Sequence, residues 1–134
     1  MQTNYTLRHY LETALWASTD DDGEPLDREY SPSDFSDDAR ERARADCARF
    51  ESENSDDIDA FLGFLEGSDY REGQETVGHC LFLSRNGHGS GFFDRFTYAD
   101  SLEARECADR LERKARAFGE SSPYVSDTRT LDFC

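Results

Sequence analysis

Lysine is almost missing from this chain: Lys114 stands beside fourteen arginines, and these fifteen cations face thirty acidic residues. The net charge of −15 argues against direct binding to nucleic acid or anionic membrane, whose phosphates such a field repels. Also missing is any apolar run near the roughly 18 to 20 residues that a membrane helix needs. The N-terminal residues lack the apolar stretch of a secretory signal, so a cytoplasmic location is expected. Cys47, Cys80, Cys107 and Cys134 lie far apart with no C-x-x-C pair, which removes the usual zinc-knuckle and redox spacings and leaves reduced thiols as the expectation. Arginine in place of lysine fits a GC-rich genome, and acid excess with little lysine also fits a salt-adapted protein.

What the chain has is aromatic and acidic. Only 36% of residues are hydrophobic and 34% are charged, yet ten Phe, six Tyr and one Trp supply apolar bulk that a disordered chain usually lacks. One domain spanning residues 1–134, with an aromatic-rich core, follows. The charge is regional. From Glu12 to Glu75 there are 21 acids and 6 cations, whereas the remainder carries 9 of each and is neutral. A field of that shape attracts cations, basic protein surfaces and grooves built for DNA or RNA.

Apolar residues at helical spacing predict four helices. Leu7, Tyr10, Leu11, Ala14 and Leu15 mark the first, from Thr6 to Ala17, with Trp16 anchoring the loop that follows. Ser18 to Ser36 fits no regular period and reads as an ordered loop pinned by Leu26, Tyr30 and Phe35. Ser36 or Ser33 caps a second helix, Asp37 to Glu53, with Ala39, Ala43, Cys47 and Phe50 as its inner stripe and acids in its first turn. A third begins at Ser55, buries Ile58, Phe61, Leu62 and Leu65, and ends at Gly67. After a loop from Ser68 to Val77, apolar residues crowd both sides of Asn86-Gly87, a pair suited to a tight reversal, so a central hairpin at about 80–95 is expected. Asp100 or Ser101 caps the fourth helix, whose Leu102, Cys107, Ala108, Leu111, Ala115 and Phe118 face inward, with Gly119 as its stop. A second hairpin is expected at about 124–133. The predicted fold class is therefore α+β, about four helices packed on a small antiparallel sheet built from the two hairpins.

Four arrangements invite chemistry. A central hairpin would bring His79, Arg85, His88 and Asp94 together as a ligand or acid–base site, but no zinc spacing accompanies them and no metal is expected. Gly87-His88-Gly89-Ser90-Gly91 resembles a phosphate cradle, yet a strand rather than a helix N-terminus is expected after it. Asp20-Asp21-Asp22-Gly23-Glu24 invites calcium, but counting Asp20 as the first position puts Ser31, not glutamate, at the twelfth. Cys80 next to His79 is no nucleophile–base pair on a strand, where neighbours face opposite ways. No cofactor and no catalytic residue is therefore expected. The remaining candidate is the acidic run itself, Asp20, Asp21, Asp22, Glu24, Asp27, Glu29, Asp37, Asp38 and Glu41, either as a solvated surface or as a mimic of duplex phosphates.

The segments Tyr10 to Trp16, Asp20 to Leu26, Gly78-His79, and Ser84-Arg85-Asn86-Gly87-His88-Gly89 through Gly91-Phe92-Phe93-Asp94-Arg95 resemble a family of small acidic proteins of phages and other mobile elements. That family shows an acidic loop after a Leu-Trp segment, a Thr-Arg-Asn-Gly-His-Gly core, a Gly-Phe-Trp-Asp-Arg ending, and Ala-Phe-Gly before a tyrosine-bearing tail, here Ala117-Phe118-Gly119 and Tyr124. Ser84, Cys80 and Phe93 depart from its Thr, Asp and Trp. The resemblance implies a setting rather than a reaction: a non-enzymatic inhibitor of a host defence nuclease complex, anti-CRISPR or antirestriction in type, acting in the infected cell's cytoplasm as a DNA mimic. Its partner would be the basic surface of a host nucleic-acid-binding protein. The alternatives are a small metal- or ligand-binding module or enzyme centred on the Gly-His-Gly loop, and an accessory protein for phage replication or packaging.

Overall fold

The structure, a computed structural model, describes residues 2–65, 70–88, 91–92 and 101–134, with side chains described throughout these except at 2–4 and 70–74. Among them are five helices, α1 (Gln2–Ala17), α2 (Asp37–Glu53), α3 (Ser55–Phe64), α4 (Tyr70–Arg85) and α5 (Leu102–Arg116), and one antiparallel pair, β1 (Pro123–Val125) with β2 (Leu131–Phe133). This is a small α+β fold, and among the described residues its sheet is the C-terminal hairpin.

The central hairpin is not formed. Residues 70–85 are helix α4, so most of the expected 68–77 loop is helical as well. Its last two turns bury Cys80, Leu81, Phe82, Leu83, Ser84 and Arg85 in succession. A helix enclosed on all sides reads in sequence like a buried strand, because neither has a polar face. The Asn86-Gly87 step ends this helix instead of turning a hairpin. The His88 N–H donates to the Leu83 carbonyl at 3.0 Å and the Gly87 N–H to the Ser84 carbonyl at 3.3 Å, with Gly87 at φ +68°, the paired bonds of a Schellman cap.

Close packing of α4 along α1 requires Gly78. A Cβ there would overlap the Thr6 carbonyl oxygen and stand 3.0 Å from the Tyr10 nitrogen. Beyond the cap, Phe92 reaches back into the core, stacked on Phe50 at 5.5 Å and edge-on to Phe61 at 5.3 Å. Its N–H donates to Ser84 Oγ at 3.1 Å, and that hydroxyl donates to the buried Glu112 Oε1 at 2.6 Å, fastening the segment between α4 and α5.

The flanking helices follow their sequence signals. Ser36 Oγ accepts from the Ala39 N–H at 3.1 Å, and α2 buries Ala39, Ala43, Cys47 and Phe50. Ser101 Oγ accepts from the Ala104 N–H at 3.1 Å, and α5 buries Cys107, Ala108, Leu111 and Ala115. Leu102 departs from the expected stripe: as the first residue of α5 it is 60% exposed. Asp94 and Gly67 lie outside the described residues. None of the four cysteines is in a disulfide. No helix among the described residues is long and apolar enough to cross a membrane.

Candidate functional site

The acidic stretch after α1 is closed by its own backbone. Asp20 accepts on Oδ1 from the Asp22 and Glu24 N–H groups at 2.9 and 3.0 Å, its N–H donates to the Glu24 carbonyl at 2.8 Å, and Gly23 takes φ +83°. The Asp20 carboxylate thus shapes the turn, while Asp21 and Asp22 are left exposed. Two short 3-10 turns follow, Leu26–Arg28 and Pro32–Asp34. Leu26 and Phe35 are buried and Tyr30 packs on the core, which pins the loop as its spacing predicts.

This loop lies against the C-terminal hairpin. Phe35 bridges Leu131, the Ser36 N–H donates to the Leu131 carbonyl at 2.9 Å, and Ser36 Oγ donates to Asp132. Between loop and hairpin is an open cleft of about 780 Å³, within the range of ligand-binding clefts. Asp20, Asp21, Asp22, Glu29 and Tyr30 line it from the loop, and the half-exposed Tyr124, Asp127 and Arg129 from the hairpin. Five carboxylates therefore face a single guanidinium.

Of the nine acids singled out in the sequence, these four share the cleft. Glu24 pairs with Arg28 at 2.8 Å, Asp37 with Arg40 at 2.8 Å and Glu41 with Arg44 at 2.6 Å. Exposed pairs of this kind stabilise little, but they commit those carboxylates to their own chain. Glu41 is held below the usual carboxylate range by its hydrogen bond from Arg44. Asp27 and Asp38 are exposed. Asp127 and Tyr124 escape sequence reasoning because only the fold sets the hairpin opposite the loop.

Of the second group, His79 and Arg85 lie on helix α4 and His88 at its cap, while Asp94 is outside the described residues. His79 stacks under Trp16 at 5.5 Å, with Thr13 Oγ1 at 3.3 Å from its Nδ1 and the His9 ring at 6.0 Å. Trp16 is 48% exposed, so it covers this histidine rather than anchoring the loop inside. His88 stacks on Phe82 at 6.1 Å.

Arg85 turns inward. Its Nε donates to the Gly119 carbonyl at 2.8 Å, Nη1 to Asp46 Oδ2 at 2.8 Å and to the Tyr10 hydroxyl at 3.2 Å, and Nη2 to the Phe118 carbonyl at 3.2 Å. Burial opposes its charge, but Tyr10 and Asp46 outweigh burial and hold its pKa above the usual arginine value. Burial likewise pushes the Tyr10 hydroxyl well up, keeping it protonated. The arginine ties α1, α2 and α4 to the chain after α5, an architectural role. Among the described residues no group of three or more His, Cys, Asp or Glu side chains could hold a metal. Comparison of the chain with protein-family models, curated proteins and solved structures gives no match.

Proposed function

We propose that this protein is a non-enzymatic, acidic inhibitor that docks on the basic groove of a nucleic-acid-binding protein, presenting carboxylates where the groove is built for phosphates. In the setting that the sequence resemblance implies, the groove belongs to a host defence nuclease complex, and inhibition takes place in the infected cell's cytoplasm. The observation that carries this reading is the acid-lined cleft, a concave anionic surface to which the stretch that holds the whole net charge contributes Asp20, Asp21, Asp22 and Glu29 and the C-terminal hairpin contributes Asp127. Complementary fields steer association and lose strength as salt rises.

The test is a variant with four exposed acids reversed, Asp21→Lys, Asp22→Lys, Asp27→Lys and Asp38→Lys. Asp20 is left intact because its carboxylate shapes the loop. Circular dichroism should remain that of the parent protein, while inhibition of nucleic-acid cleavage by the host complex is lost. A folded variant that inhibits as well as the parent eliminates the reading.

A further inference from the structure

The antiparallel pair has two outer edges, and among the described residues only the β2 edge is hydrogen-bonded to the rest of the chain. Tyr124 pairs with Asp132 and Val125 with Leu131, while the Ser126 N–H bonds to the Thr130 carbonyl at 2.8 Å and the Cys134 N–H to the Ser122 carbonyl at 3.1 Å. In an antiparallel ladder, bonded and non-bonded pairs alternate. The 122/134 and 126/130 pairs therefore make 124/132 a bonded pair, and 123/133 and 125/131 non-bonded ones whose polar groups point away from the partner strand. On the β2 side that prediction holds. The Leu131 carbonyl accepts from the Ser36 N–H at 2.9 Å and the Phe133 carbonyl from Arg42 Nη1 at 3.0 Å.

On the β1 side the same alternation directs the Val125 N–H and carbonyl and the Pro123 carbonyl outward. Pro123, which has no N–H, occupies an outward position, where a strand tolerates proline. This edge opens into the acidic cleft. Residues 123 to 127 line it consecutively, whereas a strand seen from its face would contribute every second residue.

We infer that the cleft takes an extended, arginine-bearing segment of the partner, which adds to the outer edge of β1 as a third strand. The inference deepens the charge-docking reading and rests on it. Backbone bonds to Val125, which is half-buried where Pro123 is buried, fix the register, as in strand-addition complexes. The guanidinium groups meet Asp21, Asp22, Glu29 and Asp127, which can accept them in two-point pairs, and the Tyr30 and Tyr124 rings, which offer cation–π faces. Arg129 opposes such a ligand and sets part of its register by repulsion.

The experiment titrates the full-length protein with a peptide of about eight residues alternating arginine and valine, enough for one short strand. Parallel titrations use the same peptide methylated on every backbone nitrogen, and a peptide alternating glutamate and valine. The first should bind and move the amide resonances of Val125, Asp21 and Asp22. Methylation keeps the side-chain charges but removes the donors, and should weaken binding roughly tenfold or more for one or two lost backbone bonds. The glutamate peptide should not bind. Equal affinity of the methylated peptide, resonance changes confined to other faces, or no binding of the first peptide would each overturn strand addition. Inhibition that survives in the parent protein and is lost on four-fold charge reversal would, in those cases, leave the broader docking reading intact.

Discussion

At the scale of single residues, stability turns on a few buried polar groups. Arg85 has a side chain only 6% exposed and serves four acceptors, so Arg85→Ala takes the donor from two carbonyls, while Asp46, whose side chain is 32% exposed, can be hydrated. A loss of about 2 kcal/mol is expected in urea unfolding, the range for polar groups left without a partner. Arg85→Lys keeps the charge without the planar fork and should still cost about 1 kcal/mol or more. Glu51 acts in the opposite sense. Its Oε2 accepts from Thr6 Oγ1 at 3.2 Å, Oε1 is buried with no hydrogen-bond partner among the described residues, and burial raises its pKa. An acid whose pKa is higher folded than unfolded makes the native state bind more protons, so stability falls as pH rises from the unfolded value through the folded one. Glu51→Gln should therefore raise the melting temperature at pH 7 and leave it nearly unchanged at acid pH; a gain of the same size at both would refute the assignment. Arg129 holds φ +63° in the hairpin turn, a conformation that strains any residue with a Cβ. Arg129→Gly should stabilise by about 1 kcal/mol.

Among the elements, α2 and α5 were legible because signals at different levels agree there. Each has a serine cap, acid in the first turn and an inner stripe at helical spacing, and α5 adds a stopping glycine. Helix α4 was illegible for two physical reasons. Its end is buried on every side, so periodicity gives no direction, and Asn86-Gly87 supplies the positive φ that both a hairpin turn and a helix cap require. The cue that separates them is Gly78, which has no purpose in a strand but lets α1 and α4 meet backbone to backbone. Gly78→Ala should cost roughly 1 to 3 kcal/mol, the usual range for overpacking. Misreading α4 also created the grouping of His79, Arg85, His88 and Asp94, a product of an expected hairpin. The acidic half of the site was legible residue by residue. Its opposite wall was not, because nothing local links Asp127 to a loop a hundred residues earlier.

For the whole molecule, the central claim is that anionic charge gathered into one half of the chain recognises a cationic groove in competition with nucleic acid. The distribution carries that claim more than the total does, since the residues outside 12–75 carry nine charges of each sign while residues 12–75 hold all of the excess. The most direct measurement is displacement of duplex DNA from the host nuclease complex by the parent protein and by the four-fold reversed variant, each across a salt series. The account predicts that the parent displaces DNA with an affinity that falls steeply as salt rises, and that the variant is weaker by about a hundredfold, or roughly 2.7 kcal/mol, with a flattened salt slope. Displacement by the variant at the parent's affinity, or binding of the parent that leaves DNA in place, would contradict it.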